Sequence, residues 1–330
     1  MIITIPGRYE FPRSVQPYIK NLVELEADKF IPMVLKSQIG EFIKASPKDI
    51  SFFEQNWYGK PDRTSEKPYY EHPSTDIDTE RMIRAFDALI EIQAMAKECD
   101  DDGKDENAWC QTVVLPLLRS ALHKPDSSLW RVESVQTQTI ETEFMPASIS
   151  SSSGKSTDDV LPKMIDYAIF LNKISKDLDV VALYEAMKQV EGGGIGLWTD
   201  SYTNTLIPFA ICAVKSEYAI TMEGKVQLMT VAQAFLKYLE DLVIQASKLE
   251  IKDELLHSMP PVMGWTVHGH DWKFYICHRK GEQQIWADCS MGDGSTATPG
   301  KALRLLRVIE EIKKESGQQY VVWLKKVFNL

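Results

Sequence analysis

Four polar side chains stand in segments that otherwise read as core. Asp166 interrupts KMIDYAIFL, Lys215 closes IPFAICAVK, Glu106 opens ENAWCQTVVLPLLRSAL, and Gln227 lies early in GKVQLMTVAQAFLKYLEDLVIQASKL. Carboxylates, an amine and an amide are residue types that accept a proton, balance a cation or stabilise an oxyanion. Each is weak alone: an Asp in a strand is ordinarily an edge or turn residue, and a lysine at a strand end is ordinarily solvated. Their weight comes from their order along one pattern of helices and strands.

That pattern has two parts. Residues 1–103 read as a helical extension. Val15, Tyr18, Ile19, Leu22 and Leu25 recur at helical spacing, and IPMVLKSQIGEFIKA follows with Pro32 near its first turn. WYGKPDRTSEKPYYEHPSTD is a long surface loop. TERMIRAFDALIEIQAMAKEC is a helix with Met82, Phe86, Leu89, Ile90 and Ile92 on its apolar side, broken by CDDDGKDE. Residues 104–330 read as mixed α/β. The Glu106 segment is helical despite Pro116, WRVESVQTQTIE alternates as a strand, and MPASISSSSGKSTDD is a mobile hairpin loop. KMIDYAIFL is a second strand, DLDVVALYEAMKQV a helical insertion and TLIPFAICAVK a third strand. After the long helix come three strands, VMGWTVHGH, DWKFYICHR and QQIWADCS, and two closing helices, KALRLLRVIEEIKKE and QYVVWLKKVFNL. A hairpin followed by a helical crossover implies a mixed α/β sheet flanked by helices.

Composition bounds the rest. With 330 residues, 44% hydrophobic and 25% charged, the chain is long enough for one large domain or a domain with an extension. A net charge of −10 weighs against non-specific coating of nucleic acid, while leaving room for a local basic patch. Lys301, Arg304 and Arg307, with Lys313, Lys314, Lys325 and Lys326, give the closing helices such an excess. A face of this kind is ordinarily solvated; on a nucleic-acid-binding fold it would meet phosphates. Five scattered cysteines, Cys99, Cys110, Cys212, Cys277 and Cys289, suggest neither a disulfide framework nor a zinc site. MIITIPGRYEFPRS lacks the features of a signal peptide, and no apolar run reaches the roughly 18 residues of a membrane span. The expectation is a soluble cytoplasmic or nuclear chain, whose oligomeric state the sequence leaves open.

In order and spacing, these elements resemble the PD-(D/E)XK nuclease superfamily, and in detail its fungal nuclease-like branch. The resemblance runs over residues 104–330, through ENAWCQTVVLPLLRSAL, KMIDYAIFL, PFAICAVKSE, GKVQLMTVAQ and PPVMGWTVHGHDWKFYI, and touches the FIPMVLK segment of the extension. It implies that an Asp and a Glu hold magnesium, which polarises a phosphate and activates water, while a lysine stabilises developing charge. By motif position Asp166 is the Asp and Lys215 the Lys; Glu106 and Gln227 match the accessory residues on two helices. The motif Glu stands two residues before the Lys, because positions i and i+2 of a strand share a face. Here that position is Ala213, which cannot bind a metal.

Three explanations follow. Position 213 carries an introduced knock-out; or the carboxylate has migrated to Glu217, if the strand continues past Lys215; or the metal chemistry has been lost and the fold kept for other work. Fungal arginine-containing cyclodipeptide synthases resemble the same branch, and they imply the third. They join two amino acids carried on tRNA, whose esters are already activated, so no metal-bound hydroxide is required. In that case Glu106 and Asp166 would accept an arginyl guanidinium, which pairs bidentately with carboxylates, and Lys215 would handle charge on the ester. The partner is then aminoacyl-tRNA and no cofactor is needed. The Asp-Asp-x-x-Glu motif associated with those synthases does not appear as such, DDDGKDE being nearest with different spacing, and no covalent nucleophile stands out. The alternatives are a magnesium-dependent nuclease, with Glu106 and Asp166 as ligands, and a catalytically inactive binder of nucleic acid.

Other candidates have plainer readings. His268 and His270 fall between two strands, as turn residues do, without the further ligands of a metal site. EGGGIG is not followed by the G-K-[ST] of a phosphate loop; with Trp198 and Tyr202 it could form a lid over the site and touch substrate.

Overall fold

The computed structural model describes residues 2–3, 11–19, 22, 35–45, 76–122, 129–146, 165–190, 196–281 and 283–330. Their centre is one mixed sheet. Its strands are β1 (Ile2–Ile3), β2 (Trp130–Ser134), β3 (Tyr167–Leu171), β4 (Pro208–Lys215), β5 (Val262–His268), β6 (Asp271–Lys280) and β7 (Gln283–Asp288), in the spatial order β1-β7-β6-β5-β4-β3-β2. A short β8 (Gly294–Ser295) pairs with one end of β6. β4 lies parallel to β5 and β1 parallel to β7; the other pairs are antiparallel.

The parallel step from β4 to β5 needs a crossover, and the helix Thr221–Ala246 supplies it. This helix and the sheet bury each other's apolar faces: Leu228, Val231, Phe235, Leu239 and Leu242 are buried on the helix, and every residue of β4 is buried. A strand covered on both faces needs an unbroken apolar run, as in PFAICAV. Lys215 is the one charged residue of that strand.

The helix that carries Glu106 is continuous but not uniform. Glu106–Trp109 is α-helical, Cys110–Val114 is a π turn, and Leu115–Leu122 is α-helical again. Pro116 lacks an N–H, and its ring would press on the carbonyl of Thr112; the widened turn lies just where that conflict arises. Asp105 caps the start, its carboxylate accepting from the Ala108 N–H at 2.9 Å.

Several expectations are refined. WRVESVQTQTIE is a strand only to Ser134; at Val135 the chain turns, and Ile140 forms a lone bridge with Trp198. The run QTQT has too few apolar side chains to hold an alternating ladder past that point. The closing helices, Pro299–Glu311 and Gly317–Val327, join through a second π turn, Ile312–Ser316. In the extension, Asp76–Asp101 is helical as expected, Lys36–Ala45 is helical, and Gln16–Tyr18 is a 3-10 turn with Leu22 helical beyond it; residues 20, 21 and 23–34 lie outside the described ones. Ile2–Ile3 is a strand within what read as a helical extension, taken up by the unpaired edge of β7. Val15, Ile19, Leu35, Ile39, Phe86 and Leu89 share one hydrophobic core with the sheet. The loops at 57–75 and 147–164 and the glycines of EGGGIG up to Gly194 lie outside the described residues. No helix among those described is long and apolar enough to cross a membrane.

Candidate active site

The polar residues meet where β3 begins and β4 ends. β3 starts at Tyr167, while β4 runs on to Lys215, so the N–H of Val214 lies beyond the last rung that β3 offers. The Asp166 carboxylate fills that rung, accepting from Val214 N–H at Oδ2 over 2.6 Å. Its other oxygen, Oδ1, accepts from the Gln136 side-chain amide at 2.9 Å, with the Cys110 thiol at 3.7 Å. Tyr167 donates its hydroxyl to the Cys110 carbonyl at 3.0 Å and braces the π turn that brings Cys110 there.

Lys215 is buried, only 4% exposed, and reaches not Asp166 but the helices on either side. Its ammonium lies 2.8 Å from Glu106 Oε2 and 3.4 Å from Glu223 Oε1. Gln227 donates to the same Glu223 at 3.3 Å. Gly224, one turn before Gln227, lets the helix lie against the lysine stem: a β-carbon there would stand 3.2 Å from Lys215 Cγ. Asp105, Glu106, Asn107, Gln136, Thr137, Ile165, Asp166, Lys215 and Gln227 line a cleft of about 440 Å³. Among the described residues on its walls Lys215 is the only cation, against three carboxylates.

The electrostatics follow from depth. Burial lifts the Asp166 carboxyl above its ordinary value of 3.8; the Gln136 and Val214 hydrogen bonds and the nearby Lys215 charge pull the other way and do not cancel it. Burial pushes Lys215 down, but the hydrogen bond and charge of Glu106, aided by Glu223 and Asp166, outweigh it and hold the amine above 10.5. Lys215 is therefore a fixed positive charge at neutral pH, suited to stabilising an oxyanion and unsuited to taking a proton. Burial and the neighbouring Asp166 raise the Cys110 thiol, so it does not rest as a nucleophilic thiolate.

Glu106, Asp166, Lys215 and Gln227 are thus brought together. Other expected residues are not. Glu217 lies past the end of β4, in a turn packed over Gly269, where a β-carbon would meet its carboxylate. The strand stops at Lys215, so i+2 logic does not carry Glu217 into the cleft, and the migrated-carboxylate explanation fails on geometry. Trp198 is fully buried against Phe170 and is no part of a movable lid. Tyr202 is exposed, donates to Glu133 and receives Arg131 over its ring, away from the cleft lining. Arg304 donates to the Asp293 carbonyl and Arg307 pairs with Glu310; neither they nor Lys301 line the cleft. His268 ends β5 instead of lying between strands and contacts the Ala219 carbonyl, while His270, in the turn before β6, contacts the Thr296 hydroxyl. Sequence reasoning missed Gln136, Cys110, Asp105 and Glu223. Asp105 and Glu223 flank Glu106 and Gln227 in the chain, whereas nothing marks one amide of QTQT above the other.

A mixed sheet flanked by helices, with an Asp at the start of one strand and a Lys at the end of its neighbour, defines a nuclease-like α/β protein. Residues 47–320 match the sequence profile of the PD-(D/E)XK nuclease superfamily, and the chain belongs to that superfamily. No curated protein and no solved structure matches it.

The superfamily implies a magnesium ion, and the residues present do not fit one. Ala213, fully buried, supplies no ligand. Asp166 has a donor on each oxygen, and Glu106 is turned onto Lys215. Among the described residues no three His, Cys, Asp or Glu side chains gather as a metal set.

Proposed function

We propose that the chain is an enzyme that keeps the nuclease fold and uses this cleft for acyl transfer from aminoacyl-tRNA, forming an arginine-containing cyclic dipeptide. One observation carries the reading: the metal-ligand position is Ala213, yet Asp166 and Lys215 remain buried at the cleft wall. Buried ionisable groups oppose folding unless paired, and a scaffold relieved of chemistry has no need to keep them.

An aminoacyl ester needs no metal-activated water. It needs two aminoacyl groups held close, a proton acceptor for the attacking amine and a charge opposite the carbonyl oxygen. The amine of one aminoacyl group attacks the ester carbonyl of the other. The C–N bond forms, the C–O bond to the ribose breaks, and the amine proton passes to the departing ribose oxygen. A second attack of the same kind closes the ring and releases the second RNA. Lys215, held protonated, faces the oxyanion. Glu106, ion-paired with Lys215 at 2.8 Å, holds that charge in place.

A guanidinium suits the acidic lining, though not by the expected pairing. Gln136 and Val214 already occupy Asp166, so Glu106 and its neighbour Asp105 are the carboxylates that meet the cation. The cleft's negative excess favours a guanidinium in it over the phosphates of the RNA.

The test is expression in a bacterial host, which supplies every aminoacyl-tRNA, with mass spectrometry of the medium for a new arginine-containing cyclic dipeptide. A product lost with Asp166→Ala supports the reading. No product, together with magnesium-dependent cleavage of nucleic acid by the Ala213→Glu variant, alone or combined with Gln136→Ala, overturns it in favour of a disabled nuclease. RNA binding that Asp166→Ala and Lys215→Ala leave untouched, again without product, reduces the chain to a binder.

A further inference from the structure

The misfit with magnesium has a second cause besides Ala213. Gln136 lies just past β2, and its amide reaches across the cleft wall to the start of β3. The direction of that amide is fixed by its neighbours. Gln136 Oε1 accepts the Ser134 hydroxyl at 3.4 Å, while Nε2 faces Asp166 Oδ1 at 2.9 Å and Cys110 Sγ at 3.4 Å. An ionised carboxylate only accepts hydrogen bonds, so the nitrogen must be the end that faces it. With Val214 N–H on Oδ2, a cation approaching Asp166 meets donor hydrogens on both oxygens.

We infer that Gln136 is a positioning residue whose amide stands in for a cation at Asp166, so that metal exclusion rests on two residues, Gln136 and Ala213, and not on Ala213 alone. The amide holds the carboxylate in one direction, partly balances its charge and occupies the coordination direction a metal would use. Magnesium gives up water reluctantly and requires near-octahedral oxygens, so a carboxylate with an N–H on each oxygen is a poor anchor for it. Restoring the motif Glu at position 213 therefore leaves the site locked. This inference rests on the superfamily membership and the geometry, not on the acyl-transfer reading, and its test measures metal binding, not product.

The experiment compares four purified full-length proteins: wild type, Ala213→Glu, Gln136→Ala and the double variant. Mn2+ is titrated into each and free ion followed by electron paramagnetic resonance. The expected result is that the double variant binds at least tenfold more tightly than Ala213→Glu alone. Equal affinity in those two proteins, or no binding by either, overturns the inference, since Gln136 would then not be what keeps the ion out. Weaker binding by the double variant also overturns it, because Gln136 would then be a ligand through its oxygen. Position 213 has no room to spare; if the double variant loses its cooperative melt, Gln136→Glu, of the same size, decides. It removes the donor and adds a carboxylate beside Asp166: Mn2+ binding gained supports the inference, and binding unchanged from wild type overturns it.

Discussion

Two aspartates in this molecule accept almost the same hydrogen bonds in different surroundings. Asp166 accepts a backbone N–H from Val214 at 2.6 Å and a side-chain donor, Gln136, at 2.9 Å. Asp293, beside β6, accepts a backbone N–H from Phe274 at 2.8 Å and a side-chain donor, Lys273, at 2.8 Å. Burial raises both carboxyls above their ordinary value. The difference lies in the lysine. Lys273, half exposed, sits directly on Asp293 and closes a local structural pair. Lys215, buried, bypasses Asp166 for Glu106 and Glu223, so Asp166 receives neutral donors and its lysine is aimed into a cleft. A pair that only had to fold would put the charges together. Lys215 is paired too, but with Glu106 and Glu223, so that on the proposed reading Asp166 and Lys215 face the cleft separately.

The comparison can be broken most sharply by removing each aspartate. Asp166→Ala and Asp293→Ala each strand a backbone N–H, so each should cost about 1–3 kcal/mol in denaturant unfolding. Only Asp166→Ala should abolish product; loss of product in both would mean the difference between them is structural. The lysines come next. Lys215→Met should lower product formation on the order of 10²–10³-fold, because the fixed charge opposite the oxyanion is gone. Lys273→Met should leave product formation unchanged and cost at most about 1 kcal/mol, as exposed pairs do.

The pH dependence is a smaller effect with a definite sign. Asp166 and Asp293 bind their protons more tightly folded than unfolded. Their contribution to stability is therefore full below the ordinary value of 3.8 and declines as pH rises from there through their raised folded values. Denaturation midpoints across that acid range should show the slope, and each Asp→Ala variant should remove its own share. Lys215 has the same sign at the other end of the scale: its contribution persists up to its ordinary value of 10.5 and is lost above it, as pH passes the raised folded value. A product–pH profile should accordingly show no alkaline limb from Lys215 between pH 8 and 10. Least of all, Glu217→Gln should change product formation less than twofold, since that side chain faces Gly269 and not the cleft.

Much of this was legible in the sequence. PFAICAVK could only be a strand covered on both faces with its charge at the end, and GKVQLMTVAQAFLKYLEDLVIQASKL only a long helix against it. Their order along the chain carried the fold and marked Asp166, Lys215, Glu106 and Gln227, because local pattern fixes which residues interrupt an apolar element. The missing ligand at Ala213 was likewise visible as a single letter. Tertiary structure alone decided what those interruptions face. Gln136, thirty positions from Asp166, meets it because β2 and β3 pair and the chain turns at Val135. Cys110 comes near through a π turn that lies just before Pro116. Lys215 stands on Glu106 and not on Asp166, and Trp198 is core and not lid. Such facts depend on where strands end and helices widen, which the packing of the whole sheet settles and no short stretch of sequence contains.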